Sequence, residues 1–204
     1  VGNNKILGVE TSKGNIKTNN VLSAVAGFTP RILDMIDLRS PIDIYPLQAC
    51  VTEPIKPWLD TIIVSGSLHL YISQSARGEL VMGASVDPVE LHSNTSTFEF
   101  VTGLCDQVLD LFPFLSSVKV NRQWAGIADM TPDFAPIMGK TPVDGFFLDA
   151  GWGTWGFKAT PISGKLMASS IARNQDHALI KSFNLDRFDN YNLVGEKGAA
   201  AVGH

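Results

Sequence analysis

The residues best suited to chemistry lie in one short stretch, Phe146 to Lys158, FFLDAGWGTWGFK. Gly151, Gly153 and Gly156 spell G-x-G-x-x-G after an apolar run that reads as a buried strand. That spacing belongs to turns that admit a pyrophosphate to backbone amides at a helix start. A dinucleotide fingerprint also needs a second parallel strand, closed by an acid about 20 residues on. Here RNQDHALIKSFNLDRF follows Ala172, and Asp176 stands near that distance in polar sequence. The context fails, so an NAD-dependent dehydrogenase ranks low. The local composition suits something else. Glycines leave backbone N–H groups free to point outward, while Trp152, Trp155 and Phe157 supply flat apolar walls, and Lys158 stands on the threshold of a helix. Such a set fits a flat, hydrogen-bonding heteroaromatic ligand with an anion nearby, as an isoalloxazine ring is. A structural turn whose rings pack into the core explains the same residues.

The elements that must position this turn can be read along the chain. KILGVET and GNIKTNNVLSAV alternate around SKGN and predict a hairpin whose second strand ends in AVAG, Ala24 to Gly27. FTPRILDMIDL predicts a short helix, and IDIYPLQACVTEP a strand. TIIVSGS, LHLYISQS and ELVMGASV form a meander with a tight turn at Ser75–Gly78. Ser96 to Phe112 predicts a helix capped by Thr95 or Ser96, with Phe98, Val101, Leu104, Cys105, Val108, Leu109 and Phe112 on its apolar face. SVKVNRQWAGIADM and GFFLDAG return as strands, Pro132 and Pro136 mark loops, and Ile162 to Ala172 predicts a helix after the glycines. Beyond Arg173 the chain is polar, and its last ten or so residues are expected to be loose.

Composition excludes several classes. Of 204 residues 45% are hydrophobic and 18% charged, which is ordinary for a globular fold, and a net charge of −4 gives no basic face for nucleic acid. No apolar run approaches the roughly 20 residues of a membrane span. The opening VGNNKILGVETSKGN has no secretion pattern, and Cys50 and Cys105 lack metal-like spacing, so free thiols and a cytoplasmic setting are expected. His69, His92, His177 and His204 are scattered, which gives a metal site no support.

Four segments carry a family resemblance. GWGTWGFKATPISGKLMASSIA (Gly151–Ala172) resembles the C-terminal flavin-binding segment of the FAD-dependent amino-acid and amine oxidases, the D-amino acid oxidase-like family of glutathione-reductase-like flavoproteins. GVETSKGNIKTNNVLSAVAG resembles that family's β-meander, RQWAGIADMTPDFAPIMG its strand and loop beside the flavin ring, and NLVGEKGAAAVGH the chain end of its heterotetrameric sarcosine oxidase β-subunit branch. The resemblance implies an α+β fold, the C-terminal part of a two-domain flavoprotein. Residues 1–39 would close the FAD domain, 40–134 would form a mixed or antiparallel substrate-domain sheet with a long helix, and 135–204 would return to the FAD domain. It further implies a fragment of a chain about twice as long, inactive alone, whose pyrophosphate-binding glycines lie upstream.

The implied roles follow the same alignment. Gly151, Trp152, Gly153, Thr154, Trp155, Gly156 and Phe157 would approach the pyrimidine side of FAD, and Ala26 and Gly27 its adenosine half. Lys158 matches the lysine that pairs with the substrate carboxylate, and Arg122 is a weaker candidate; a solvated lysine and a surface arginine are the plain readings of the two. Gly126 stands where the monomeric branch has a flavin-tethering cysteine, which excludes that tether. Trp155 replaces a family histidine, and the active-site lysine and histidine of the monomeric enzymes would fall near Val81 and Ser85. These departures argue against the monomeric branch and do not conflict with the heterotetrameric one, for which the resemblance implies a second flavin, FMN, at a subunit interface and other oxidase subunits as partners. The implied reaction is oxidation of a small secondary amine such as sarcosine to an imine. A non-catalytic β-rich module that binds a partner through Trp152 and Trp155 is the competing reading.

Overall fold

The computed structural model describes residues 1–83 and 89–195 as a mixed α+β protein. The chain divides into two compact units, one of Val1–Asp43 with Ala128–Glu196, the other containing Ile44–Ile127.

In the second unit, β4 (Asp43–Pro54) alternates buried and exposed positions, with Ile44, Gln48, Cys50 and Thr52 turned inward. It joins β5 (Ile63–Ser65), β6 (Leu70–Gln74), β7 (Glu79–Gly83) and β8 (Val120–Met130) in the order β5-β6-β7-β4-β8. The meander pairs antiparallel, and β7 then pairs antiparallel with β4. Phe100, Leu104 and Val108 of α2 (Phe98–Leu111) share a core with Cys50, Ile72, Leu80 and Met82. Burial, with the Cys105 charge second, pushes the Cys50 thiol up to about 12, so it is no nucleophile at neutral pH. Cys105 is half-buried and also free. Val81 lies in β7, while Ser85 falls outside the described residues.

The start of α2 differs from the expected cap. Thr97, neither Thr95 nor Ser96, accepts the Phe100 N–H at 3.2 Å. A buried glutamine decides the choice. Gln48 Oε1 accepts the Ser96 hydroxyl at 2.6 Å and the Thr97 N–H at 2.7 Å. The shifted start leaves Phe98 exposed and turns Phe100 inward. Gln48→Leu should therefore cost about 1–3 kcal/mol in urea unfolding, because two donors lose their acceptor; a change below 0.5 kcal/mol would show that Gln48 does not hold the helix start.

In the first unit, β1 (Gly8–Thr11) and β2 (Gly14–Lys17) form the expected hairpin, with Gly14 at φ +124°. The second strand does not run on to Ala24. It ends at Lys17, and β3 (Val21–Ser23) belongs to another sheet, ordered β3-β10-β9. There β10 (Phe146–Ala150) pairs parallel with β3 and antiparallel with β9 (Ile137–Lys140). Helix α1 (Thr29–Asp34) follows β3 through a 3-10 turn, Ala26–Phe28.

Helix α3 (Gly156–Arg173) follows β10 and packs Met167 with Met138, Phe147 and Ile180. It begins six residues before the expected Ile162, inside the glycine turn. Pro161 lies within it, so the Phe157 carbonyl has no i+4 amide to accept. In the polar region after Arg173 two 3-10 helices, Ala178–Phe183 and Leu185–Arg187, pack down and bury Ile180 and Arg187. The loose end expected from about residue 195 lies, from 196 on, outside the described residues. Among the described residues no helix is long and apolar enough to cross a membrane.

Candidate functional site

Parallel pairing of β3 with β10 matches Val21, Leu22 and Ser23 to Phe146, Phe147 and Leu148. Both strands therefore emerge at the same edge of the sheet. The turn after β3 holds Ala26 and Gly27, and the turn after β10 holds Gly151 to Lys158. Strand β9 runs antiparallel with Ile137 opposite Ala150, so the loop 131–136 before it opens at that edge too. This carboxyl edge is where open α/β sheets place ligands. Residues 125 positions apart are brought together by the register of two short strands.

The glycine turn is held from below by one carboxyl group. Asp129, 4% exposed at the end of β8, accepts the Gly151 N–H through Oδ2 at 2.6 Å. Its carbonyl accepts the Gly153 N–H at 3.0 Å. Burial pushes the Asp129 carboxyl up, against the Gly151, Gly153 and Trp152 amides that pull it down. The expectation of freely outward-pointing glycine amides is therefore corrected: those of Gly151 and Gly153 are spent inside the protein. Both glycines stand at positive φ, and a Cβ on either would strike Thr131 or Met130. Their absent side chains are accounted for by the chain's own packing.

The two indoles behave differently. Trp152 packs on the core of Met138, Phe147, Met167 and Ile180, and its N–H reaches Asp149 Oδ1 at 2.7 Å. Ser163 of α3 donates to the other oxygen of Asp149. Trp155 is the N-cap of α3 and offers no side-chain acceptor. Its Nε1–H is buried without a hydrogen-bond partner among the described residues, as are the hydroxyls of Ser23 and Thr29 beside the Ala26–Gly27 turn. The Lys158 ammonium lies 4.9 Å from the centroid of the Trp155 ring. Thr154 is exposed and Phe157 is 99% exposed, so the latter is no core residue. The first turn of α3 carries no acid. Ala26 is exposed at φ +46°, a left-handed conformation costly for a non-glycine, and Gly27 is buried.

Gly126 and Arg122 are exposed residues of β8 and belong to the other unit. Asp176, near the distance of a ribose-binding acid, accepts the Lys140 N–H at 2.9 Å and fills the space beside Gly139. It serves as a brace for β9. Among the described residues no three His, Cys, Asp or Glu side chains converge as a metal site. Sequence reading overlooked Asp129 and Asp149, whose signal was present: each is an acid inside an otherwise apolar strand, IADM and FFLDA.

The sarcosine oxidase subunit beta of Arthrobacter sp is 39% identical over 200 residues, 98% of this chain and 49% of that protein. The protein of the same name from Rhodobacter capsulatus is 41% identical over 200 residues, 98% of this chain and 48% of that one. The chain thus spans about half the length of the curated relatives it matches. Among solved structures, L-proline dehydrogenase from P. horikoshii superposes with a TM-score of 0.87 at 28% identity, over 95% of this chain and 53% of that one. Glycine oxidase from Geobacillus kaustophilus gives 0.79 at 21% identity over 88% and 48%, a likeness of fold. With residues 1–170, strands β3 and β10 and the glycine turn included, matching its FAD dependent oxidoreductase model, the chain belongs to the FAD dependent oxidoreductase (DAO) family.

Proposed function

We propose that this chain forms part of the flavin and substrate site of an FAD-dependent enzyme oxidising a small N-alkyl amino acid such as sarcosine. The observation that carries the reading is the donor-rich carboxyl edge of β3 and β10. It combines an unanswered indole N–H, two unanswered hydroxyls, a helix start with no side-chain cap and a nearby ammonium. Such a set complements a ligand rich in acceptors, and the phosphates, ring carbonyls and ribityl hydroxyls of FAD fit that description.

The residues that would hold FAD are Ala26, Gly27 and the turn Gly151–Phe157, with Gly126 added by resemblance alone. When bound, FAD supplies the acceptor for the hydride equivalent that leaves the amine carbon. The chain's own contribution is placement and charge. Asp129 fixes the turn, the N-terminus of α3 favours negative charge beside it, and Lys158 pairs with the substrate carboxylate. The resulting imine is then open to hydrolysis by water.

The finer architecture belongs to the same proposal: a glutathione-reductase-like flavoprotein with its FAD domain in residues 1–39 and 135–204 and its substrate domain in 40–134. So do a cytoplasmic setting, FMN at a subunit interface and partner subunits, the last of which draws support from the relatives named as β subunits. In the flavin-loaded enzyme containing this chain, Lys158→Met should raise KM for the amino-acid substrate about tenfold or more and leave flavin content unchanged. An unaltered KM refutes the role given to Lys158.

A further inference from the structure

Trp155 is the N-cap of α3, and its backbone N–H is already used by the Trp152 carbonyl at 2.9 Å. Its indole N–H is not used. A donor withdrawn from water without an acceptor costs about 1–3 kcal/mol, and folded proteins hold few of them. Among the described residues it meets no acceptor, and the first turn of α3 carries no acidic residue. Lys158, three residues on and so on the same face of the helix, places its ammonium 4.9 Å from the ring centroid. Among the described residues that ammonium has no carboxylate partner. Two donors of different kinds, one in the ring plane and one over the ring face, thus stand together without an anion.

We infer that Trp155 is a specificity-determining residue, its indole N–H donating to one oxygen of the substrate carboxylate whose other oxygen pairs with Lys158. The inference rests on the flavin-enzyme reading above and deepens it. The two oxygens of a carboxylate meet both donors, whereas a neutral carboxamide forfeits the attraction of the ammonium. The aromatic face also orients the lysine, because an ammonium held over an indole is confined to one side of the ring.

The test is ligand affinity in the flavin-loaded enzyme, read as perturbation of the flavin absorbance by acetate and, in parallel, by acetamide. Trp155→Phe keeps an aromatic ring beneath Lys158 and removes the donor together with the pyrrole half of the indole, a loss of volume that acetate and acetamide feel alike. It should weaken acetate about tenfold and leave acetamide within twofold. Trp155→His, which returns an N–H, should bring acetate affinity back to within about threefold of the parent. Acetate binding unchanged in Trp155→Phe while Lys158→Met weakens it overturns the inference and spares the enzyme reading. Acetate binding unchanged in both variants overturns the carboxylate role of Lys158 as well. Where the phenylalanine variant does not retain flavin, the histidine variant decides. Affinity near the parent supports the donor, and affinity as low as that of Lys158→Met removes it.

Discussion

Arg187→Met should lower the free energy of unfolding by about 3–5 kcal/mol, the usual consequence of stranding one member of a buried ion pair. Arg187 is 1% exposed. Its Nε and one terminal nitrogen meet the two oxygens of Asp133 at 2.8 and 2.9 Å. The remaining donors reach the carbonyls of Ala135, Phe183 and Asn184, and the Val194 N–H donates to Asp133 at 3.0 Å. Every polar atom of the pair is answered, so removing one partner leaves the other charged and dry. Replacing both together, with Asp133→Leu added to Arg187→Met, should cost less than either single change. The pH arm has a definite sign. Burial raises the Asp133 carboxyl, but the Arg187 and Val194 hydrogen bonds and the Arg187 charge outweigh it and hold it below the usual range. A depressed acid stabilises the fold above its ordinary pKa, about 3.9, and loses that contribution as pH falls through the lower folded value. The gap in stability between the parent and Asp133→Asn should therefore shrink in acid, measured by denaturant titration from pH 7 to pH 3. A gap independent of pH would show that Asp133 is not ionised in the pair.

What the sequence could reveal follows from how local each cause is. The meander and α2 were legible because their side chains repeat at two and at 3.6 residues, and each repeat is read within a dozen positions. The cap of α2 was not, because Thr95, Ser96 and Thr97 are all competent and the choice is made by Gln48, 49 residues from Thr97. The separation of β3 from the hairpin depends on parallel pairing with β10, some 125 residues on, and parallel partners leave no turn signal between them. Helix α3 starts earlier than expected because Gly156 and Pro161 argue against a helix locally, whereas the packing of Met167 and the bond from Ser163 to Asp149 hold it from a distance. Arg187 sits in polar sequence with nothing to mark it as buried; Asp133, 54 residues away, makes it so.

At the glycine turn the structure supplies a reason for the glycines that spacing alone did not. The three glycines do mark the edge where the donors gather. Two of them are glycine because the end of β8 leaves no room, and their amides face Asp129. The groups left over for a ligand come from one step further along, the indole of Trp155, the start of α3 and Lys158. On the proposed reading, that shift moves recognition from bare backbone onto side chains, where a single substitution can change it.

Gly151→Ala should be the most damaging small substitution in this turn. The residue stands at φ +72°, where an alanine is strained by roughly 1–2 kcal/mol. Its Cβ would lie 2.6 Å from Thr131 Cγ2. Thr131 cannot step aside easily, since it is buried and its hydroxyl donates to the Ala135 carbonyl at 2.8 Å. Relief by moving Gly151 instead would stretch the 2.6 Å bond from its N–H to Asp129, leaving that carboxyl buried with fewer donors. The combined loss should be about 2–4 kcal/mol in guanidinium unfolding. Gly164→Ala supplies the contrast within the same unit. It lies on the exposed face of α3 with open space around its absent Cβ, and alanine there should stabilise by about 0.5–1 kcal/mol. In the flavin-loaded enzyme the two variants should also part in a second readout: Gly151→Ala loses flavin on gel filtration and Gly164→Ala keeps it. Equal stability of the two would mean that the turn does not hold the left-handed conformation at Gly151, and the seat of the glycine turn on Asp129 would go with it.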